Sequence, residues 1–209
     1  MYVITDRFQT RGRSLEAVVD TVLAGGAKAV QLREKDLSAR DLYKLAERLL
    51  PIVHGQGACL LINDRVDLAL ALPIDGVHLS RTSLPPDAAR VLLGPTRLIG
   101  VSCHAPEEAI EAEKGGADFI VFGPLFPTPS KAPYGAPVGP ARLREVRAQA
   151  RLPIFGIGGI TASNAASVMA AGADGVAAIS AIISADEPAD AVSTLLHVVR
   201  AARIGTAER

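Results

Sequence analysis

The sequence predicts a single-domain (β/α)8 barrel, also called a TIM barrel. Eight short apolar runs alternate with segments whose apolar residues recur at helical spacing, and polar residues follow most of the runs. Hydrophobic residues make up 49% of the 209 residues and aromatic residues only 4%, a composition that suits buried parallel strands covered by helices. A doubly wound open sheet is the alternative, but no G-x-G-x-x-G loop follows the first strand.

The predicted elements follow in order along the chain. The strands are expected at residues 2–5, 29–32, 59–62, 76–79, 98–101, 119–122, 154–156 and 175–178. The first intervening helix is predicted from the apolar positions Leu15, Val18, Val19, Val22 and Leu23. The expected N-caps are Ser14, Ser38 and Thr161, and the expected helix-ending glycines are Gly25, Gly115 and Gly172.

A helix-to-strand turn is repeated three times, as AGGAKAV at 24–30, GGADFI at 115–120 and AGADGV at 171–176. The repeat supports the count of alternating elements. We therefore assign residues 1–203 to one domain and residues 204–209 to a C-terminal tail.

Charge and cysteine usage restrict the classes of function. The 22 basic and 22 acidic residues cancel, so no whole-chain field favours nucleic acid or an anionic membrane. No apolar run approaches the ~18 residues of a membrane span, and the N-terminus lacks a signal-peptide pattern. Cys59 and Cys103 lie in or beside apolar runs and are expected to be buried free thiols. These features predict a cytoplasmic protein.

Two groups of polar residues follow the second and third predicted strands. Gln31, Arg33 and Lys35 alternate and should project to one side, where an amide and two cations suit a polyphosphate. The alternative is an exposed turn with Glu34 and Asp36 as countercharges.

Asn63-Asp64 ends the next strand, where the Asp64 carboxylate suits Mg²⁺. The alternative is that Asp64 caps the following helix.

Of the histidines, His104 lies two residues after Ser102 at a strand end and is a candidate for acid–base chemistry, whereas His78 is expected to be a hydrogen-bonded core residue.

Two loops in the second half of the chain predict anion binding. The proline-rich stretch 123–131 is long for a βα loop and contains Thr128, Ser130 and Lys131; the alternative is a rigid surface loop. The glycines at 156–159 should let backbone amides approach an anion at the start of a helix. With Ile179 and Ser180 they match the phosphate site of the last two barrel strands.

With these residues in place, the sequence closely resembles the thiamin phosphate synthase family, which includes the thiazole tautomerases. The resemblance spans nearly the whole chain and is carried by QLREK, LLINDR, DGVHL, GVSCH, FGPLFPTPSK, GIGGIT and GVAAISAI. It implies a transferase that joins hydroxymethylpyrimidine diphosphate to a thiazole phosphate, with Mg²⁺ as cofactor and pyrophosphate as second product. Small phosphorylated substrates are thus the implied partners, and a homodimer is compatible with the resemblance.

The resemblance also implies the roles of individual residues. The implied catalytic residues are Ser102, Lys131 and, in a tautomerase, His104. The implied substrate-binding residues are Gln31, Arg33, Lys35, Asn63, Thr128, Ser130, Gly158, Gly159, Ile179 and Ser180. The implied metal ligands are Asp64 and Ser83.

One departure from the family pattern keeps the activity open. Ser83 stands where the synthases have a second metal-binding aspartate, so one negative charge is missing. Thiazole tautomerases also lack that aspartate and perform a metal-free isomerisation of thiazole carboxylate phosphate. The complete set of diphosphate-binding residues favours the synthase, with the tautomerase and a non-catalytic thiazole-phosphate-binding protein as alternatives.

Overall fold

The computed structural model describes residues 1–128 and 136–207. Its eight parallel strands form a closed barrel in which each strand pairs with its sequence neighbours and the eighth pairs with the first. The strands are β1 (Tyr2–Ile4), β2 (Ala29–Leu32), β3 (Cys59–Asn63), β4 (Gly76–Leu79), β5 (Leu98–Cys103), β6 (Phe119–Phe122), β7 (Ile154–Gly156) and β8 (Gly175–Ala178). The helices are α1 (Leu15–Ala24), α2 (Ala39–Gly55), α3 (Val66–Ala71), α4 (Pro86–Leu93), α5 (Pro106–Lys114), α6 (Gly139–Gln149), α7 (Ala165–Ala170), α8 (Ser180–Ile183) and α9 (Pro188–Ala207). The predicted (β/α)8 barrel is therefore confirmed.

Two strands are longer than the sequence predicted. β3 continues to Asn63, which pairs with His78, and β5 continues to Cys103, which pairs with Phe122. Backbone pairing does not depend on side-chain polarity, so the ladders extend into the polar residues. The first of the polar residues that follow these apolar runs thus lie on the rigid strand ends.

The apolar side chains form two layers, as alternation along a strand requires. The inner layer fills the barrel with bulky residues, and the Tyr2 and Phe119 rings meet edge to face at 5.5 Å between centroids. The outer layer, between strands and helices, consists of aliphatic residues such as Val30, Leu60 and Leu143, all fully buried. The barrel is packed solid below its polar rim.

Two of the three predicted helix caps are confirmed. The side chains of Ser14 and Ser38 accept hydrogen bonds from the backbone N–H groups of Ala17 and Asp41 at the starts of α1 and α2. Thr161 is not an N-cap, because α7 begins four residues later, after Asn164.

The C-terminal helix differs from the sequence expectation. α9 continues to Ala207, so the described part of the expected tail, residues 204–207, is helical. Among the described residues, no helix has the length and apolar character needed to cross a membrane.

Candidate active site

Because all eight strands are parallel, their carboxyl ends open on one face of the barrel. The polar residues that follow the strands therefore surround one opening of the barrel, called the mouth below. β2, β3 and β4 form one side of it, and β6, β7 and β8 form the opposite side.

The cations after β2 are available to a ligand. Arg33 is half-buried and Lys35 is exposed, and neither side chain has a hydrogen bond or ion pair within the described ranges. Glu34 and Asp36 instead contact Arg7, whose Nη1 lies 3.2 Å from Glu34 Oε2 and 2.6 Å from Asp36 Oδ1. The interpretation of the acids as countercharges to Arg33 and Lys35 is therefore wrong.

Gln31 lies deeper, inside the barrel. It is only 1% exposed, and its Nε2 donates to the Tyr2 hydroxyl at 2.9 Å. Gln31 thus presents its amide from below the mouth, whereas Arg33 and Lys35 lie at its rim.

Asp64 faces a group of hydroxyls rather than a helix. Its Oδ1 accepts from Ser80 Oγ at 3.2 Å and from Ser83 Oγ, and its Oδ2 accepts from Asn63 Nδ2 at 2.9 Å. Its φ of +62° is a conformation that non-glycine residues seldom adopt. Arg65, not Asp64, occupies the N-cap position of α3 and forms no side-chain cap, so the capping alternative is wrong.

The residues around Asp64 fit a hard divalent cation. They offer one carboxylate and the hydroxyl oxygens of Ser80 and Ser83, which lie 2.9 Å apart. Within the described ranges no group of three or more His, Cys, Asp or Glu residues is arranged for a metal. An oxygen-only donor set with one charge suits Mg²⁺, which completes its coordination with water and substrate phosphate.

His78 and Ser102 form a pair in the barrel interior. His78 is 2% exposed and its Nε2 lies 2.9 Å from Ser102 Oγ, which confirms the predicted hydrogen-bonded core histidine. Burial lowers the pKa of His78 to about 3, so the ring is neutral. Its buried Nδ1 has no partner among the described residues, and the tautomer that avoids an unpaired buried N–H has its proton on Nε2. Nε2–H then donates to Ser102, which leaves the Ser102 hydroxyl hydrogen available.

His104 lies beyond the end of β5. Its side chain is exposed, its Nδ1 hydrogen-bonds the Gly123 carbonyl, and its backbone N–H donates to Glu108 Oε2 at 2.7 Å. The ring is thus held at the rim beside the β6 loop.

The opposite side of the mouth carries backbone donors. Gly158 and Gly159 have φ values of +95° and +62°, and within residues 1–128 and 136–207 their N–H groups have no acceptor. A Cβ on Gly158 would lie 2.6 Å from the Pro124 Cα, so glycine is required there by both backbone and space. Ile179 and Ser180 follow β8, and Ser180 is the first residue of α8.

The glycine loop does not open a helix, contrary to the sequence expectation. Residues 157–164 form a loop before α7, so the dipole of that helix lies away from the glycines. Asn164 shapes the loop instead: its Nδ2 donates to the Gly159 carbonyl at 2.9 Å and its Oδ1 accepts from Thr161 N at 2.8 Å. Asn164 was not among the residues predicted from the sequence, where the only signal for it is an asparagine close after the glycines.

The proline-rich loop is described only in part. Thr128 is half-buried at the β6 side of the mouth. Ser130 and Lys131 lie outside the described residues.

Comparison with known proteins gives consistent results. The family model described as thiamine monophosphate synthase matches residues 1–182. A putative thiamine-phosphate synthase of Geobacter sulfurreducens is 53% identical over 199 residues, which cover 95% of this chain and 93% of the relative. A thiamine-phosphate synthase of Roseiflexus castenholzii is 48% identical over 198 residues, covering 95% and 87%. The solved structure of a thiamine phosphate pyrophosphorylase from Pyrococcus furiosus has a TM-score of 0.88 and 36% identity, covering 96% of this chain and 95% of that chain.

Proposed function

Because this chain belongs to the thiamine monophosphate synthase family, we propose that its barrel mouth joins hydroxymethylpyrimidine diphosphate to a thiazole phosphate. The activity is that of a thiamin phosphate synthase, a transferase of thiamin biosynthesis. The products are thiamin phosphate and pyrophosphate.

The observation that carries the proposal is that two different groups of potential anion donors lie on opposite sides of one mouth. Cations and a carboxylate follow β2 and β3, and backbone N–H groups follow β7; within residues 1–128 and 136–207 these cations and N–H groups have no partner. A diphosphate needs cations and a metal, whereas a monophosphate suits backbone donors. Two phosphorylated substrates can therefore lie in one mouth with their reactive ends towards the centre.

On the β2 side, Arg33 and Lys35 bind the diphosphate and Gln31 binds the pyrimidine part from below. Asn63, beside Asp64, and Lys131 complete this half-site. The positive charges of Arg33, Lys35 and Lys131 stabilise the diphosphate as it takes the electron pair of the breaking carbon–oxygen bond.

Asp64 and Ser83 would hold Mg²⁺, with Ser80 beside them. When bound there, Mg²⁺ supplies charge neutralisation to the diphosphate. With a single carboxylate, the protein itself balances only part of the charge of the cation.

At the centre, the pyrimidine methylene carbon becomes cationic as diphosphate departs, and the thiazole nitrogen forms the new carbon–nitrogen bond with its lone pair. Ser102 lies beside these reacting groups, with its hydroxyl oriented by His78. Water must be kept away from the cation, and the packed interior below the mouth excludes it from that side.

On the opposite side, Thr128 and Ser130 contact the thiazole substrate. Its phosphate lies against Gly158 and Gly159 and the start of α8 at Ile179 and Ser180. This half-site uses backbone dipoles, which bind a phosphate without adding cations near the developing positive charge.

The test is a coupling assay with purified protein, both substrates and Mg²⁺. Thiamin phosphate and pyrophosphate should form together in equal amounts, and a chelator should stop the reaction. No product over a wide range of Mg²⁺ concentrations would contradict the proposal.

The same preparation separates the alternatives. A tautomerase would isomerise thiazole carboxylate phosphate in the presence of chelator and would lose this activity in His104→Ala. A binding protein would bind thiazole phosphate in a calorimeter without turnover. We expect neither result.

We also propose that the protein works in a reducing cytoplasm, which is supported by the two free thiols, Cys59 and Cys103. The homodimer stays a prediction.

A further inference from the structure

The segment that follows β1 lies between the two proposed anion sites, and none of the proposed binding residues belongs to it. β1 pairs with β2 on one side and with β8 on the other. Residues 5–14 therefore adjoin the loop that carries Arg33 and Lys35 and also α8, which begins at the thiazole phosphate site. Two arginines of this segment, Arg7 and Arg13, reach in these two directions.

Arg7 holds the acids of the diphosphate loop. Its backbone N–H lies 3.1 Å from Glu34 Oε2, and its guanidinium contacts both Glu34 and Asp36. Glu34 is buried, with only 4% of the residue exposed, and Thr5 Oγ1 donates to its Oε1 at 2.6 Å. The loop that bears the two cations is thus fixed through the acids that alternate with them.

This pairing also matters electrostatically. Glu34 flanks Arg33, and without Arg7 the Glu34 and Asp36 carboxylates would be left to pair with the neighbouring cations. By pairing with both acids, Arg7 leaves Arg33 and Lys35 available to a diphosphate. The hydrogen bond to Asp36 raises the pKa of Arg7 further, so its charge is constant.

Arg13 holds the far end of α8. Its Nη2 donates to the carbonyls of Ile183 at 3.0 Å and Ala185 at 2.9 Å, and its Nη1 donates to the Asp186 carbonyl at 3.1 Å. A guanidinium at the last carbonyls of a helix satisfies acceptors that have no intrahelical partner. α8 has four residues, so fixing its end also fixes Ser180 at its start.

The two arginines belong to one rigid unit. Thr10 is 4% exposed, its Oγ1 donates to the Arg7 carbonyl at 3.0 Å, and its own carbonyl accepts from Arg13 Nε at 2.8 Å. Asp6 starts the short 3₁₀ helix Arg7–Gln9 by accepting from Phe8 N. The separation between the two arginines is therefore set by the segment itself.

We propose that this segment positions both substrate sites: Arg7 is a positioning residue for the pyrimidine diphosphate and Arg13 for the thiazole phosphate. The inference rests on the proposed function, because the two sites are those assigned to its substrates. Each arginine acts through another group and touches no substrate.

The experiment compares Arg7→Gln and Arg13→Gln with wild type, and Arg11→Gln is the matched control. Arg11 lies in the same segment, and among the described residues its side chain pairs only with the exposed side chain of Asp186. For each protein, kcat and both KM values are measured. Arg7→Gln should raise the KM for the pyrimidine diphosphate about tenfold and leave the KM for thiazole phosphate within about twofold, the scale of outer-shell effects at metal sites. Arg13→Gln should raise the KM for thiazole phosphate about tenfold and leave the KM for the pyrimidine diphosphate within about twofold. Arg11→Gln should match wild type in both KM values.

A second measurement does not depend on turnover. Calorimetric binding of inorganic pyrophosphate should weaken only in Arg7→Gln, and binding of inorganic phosphate only in Arg13→Gln. If wild type does not couple its substrates, the proposed function fails and this measurement still decides the inference. If an arginine variant does not fold, Glu34→Gln replaces Arg7→Gln and Arg13→Lys replaces Arg13→Gln. Equal changes at both sites, or no change at either, would overturn the inference.

Discussion

The amino and carboxyl ends of the barrel use their charged side chains differently. At the amino end, three aspartates each lie directly before a strand: Asp75, Asp118 and Asp174. Each carboxylate accepts one hydrogen bond from a backbone N–H of the strand that comes before it in the chain, and a second from a helix side chain. The strand donors are Leu60, Ile99 and Ile154, and the helix side chains are His54, Arg90 and Arg147. Each carboxylate there is satisfied within the protein.

At the carboxyl end, several donors of the described residues remain without partners. The Arg33 and Lys35 side chains and the amides of Gly158 and Gly159 have none among the described residues. Donors that are paired within the protein add stability, whereas open donors contribute little to stability and are available to an anion. Satisfaction of polar groups, rather than their number, therefore distinguishes the amino end of the barrel from its carboxyl end.

The largest expected effect comes from removing the carboxylate at the mouth. Asp64→Asn should lower kcat/KM about hundredfold, because the diphosphate loses its metal and the associated charge stabilisation. The melting temperature should stay near that of wild type. Steady-state kinetics and thermal unfolding check this, with Asp67→Asn as control, since Asp67 forms an exposed pair with Arg65. An unaltered kcat/KM would remove Asp64 from the site.

Adding a carboxylate at the mouth should have the opposite effect on metal binding. Ser83→Asp should tighten Mg²⁺ binding about tenfold, because ligand charge sets the affinity for a hard cation. Without Mg²⁺ the variant should be less stable than wild type, because two carboxylates repel each other. Calorimetry and unfolding with and without Mg²⁺ test both parts. Thr82→Asp adds the same charge beside the site and should not reproduce the tight binding.

The buried His78 makes stability depend on pH. Its pKa is lowered from 6.5 to about 3 by burial, so below pH 6.5 the unfolded chain binds a proton that the folded protein does not. The free energy of unfolding should therefore fall as pH falls, by about 1 kcal/mol from this residue between pH 6.5 and pH 5.5. His78→Gln should lack this part of the slope in metal-free urea unfolding. Identical slopes would show that the ring titrates in the folded state.

The smallest effect is expected at the amino end. Asp118→Asn keeps an oxygen for the Ile99 N–H but loses the charge that pairs with Arg90, so the free energy of unfolding should fall by about 1 kcal/mol. The kcat/KM should not change well below the melting temperature. Urea unfolding and kinetics check this, with Glu111→Gln on the exposed face of α5 as control. A selective loss of activity would contradict the division between the two ends.

Much of the fold was predictable because its signals are local. The apolar runs predicted all eight strands, and the turn repeat predicted equivalent glycines: Gly116 and Gly172 both adopt positive φ after a helix. The position of α7 was not predictable from the glycines before it, because Asn164 fixes that loop through contacts made only in the folded chain.

The candidate site was predictable in its residue types but not in its pairings. Arg33, Lys35, Asp64 and Gly158 were identified from their places after strands. The capping role for Asp64 and the countercharge role for Glu34 were reasonable from spacing, and both are wrong. Neighbours in sequence were favoured as partners, whereas the observed partners come from other loops.

The barrel, the free thiols and the polar rim were predictable from the sequence, because strand periodicity and the residues at strand ends are properties of short segments. The tertiary structure alone sets which polar groups are paired and which are open. It joined Arg7 to Glu34, Ser83 to Asp64 and His78 to Ser102. The physical reason is that barrel closure brings the ends of all eight strands to one face, and there the partner of a side chain depends on the neighbouring loop in space.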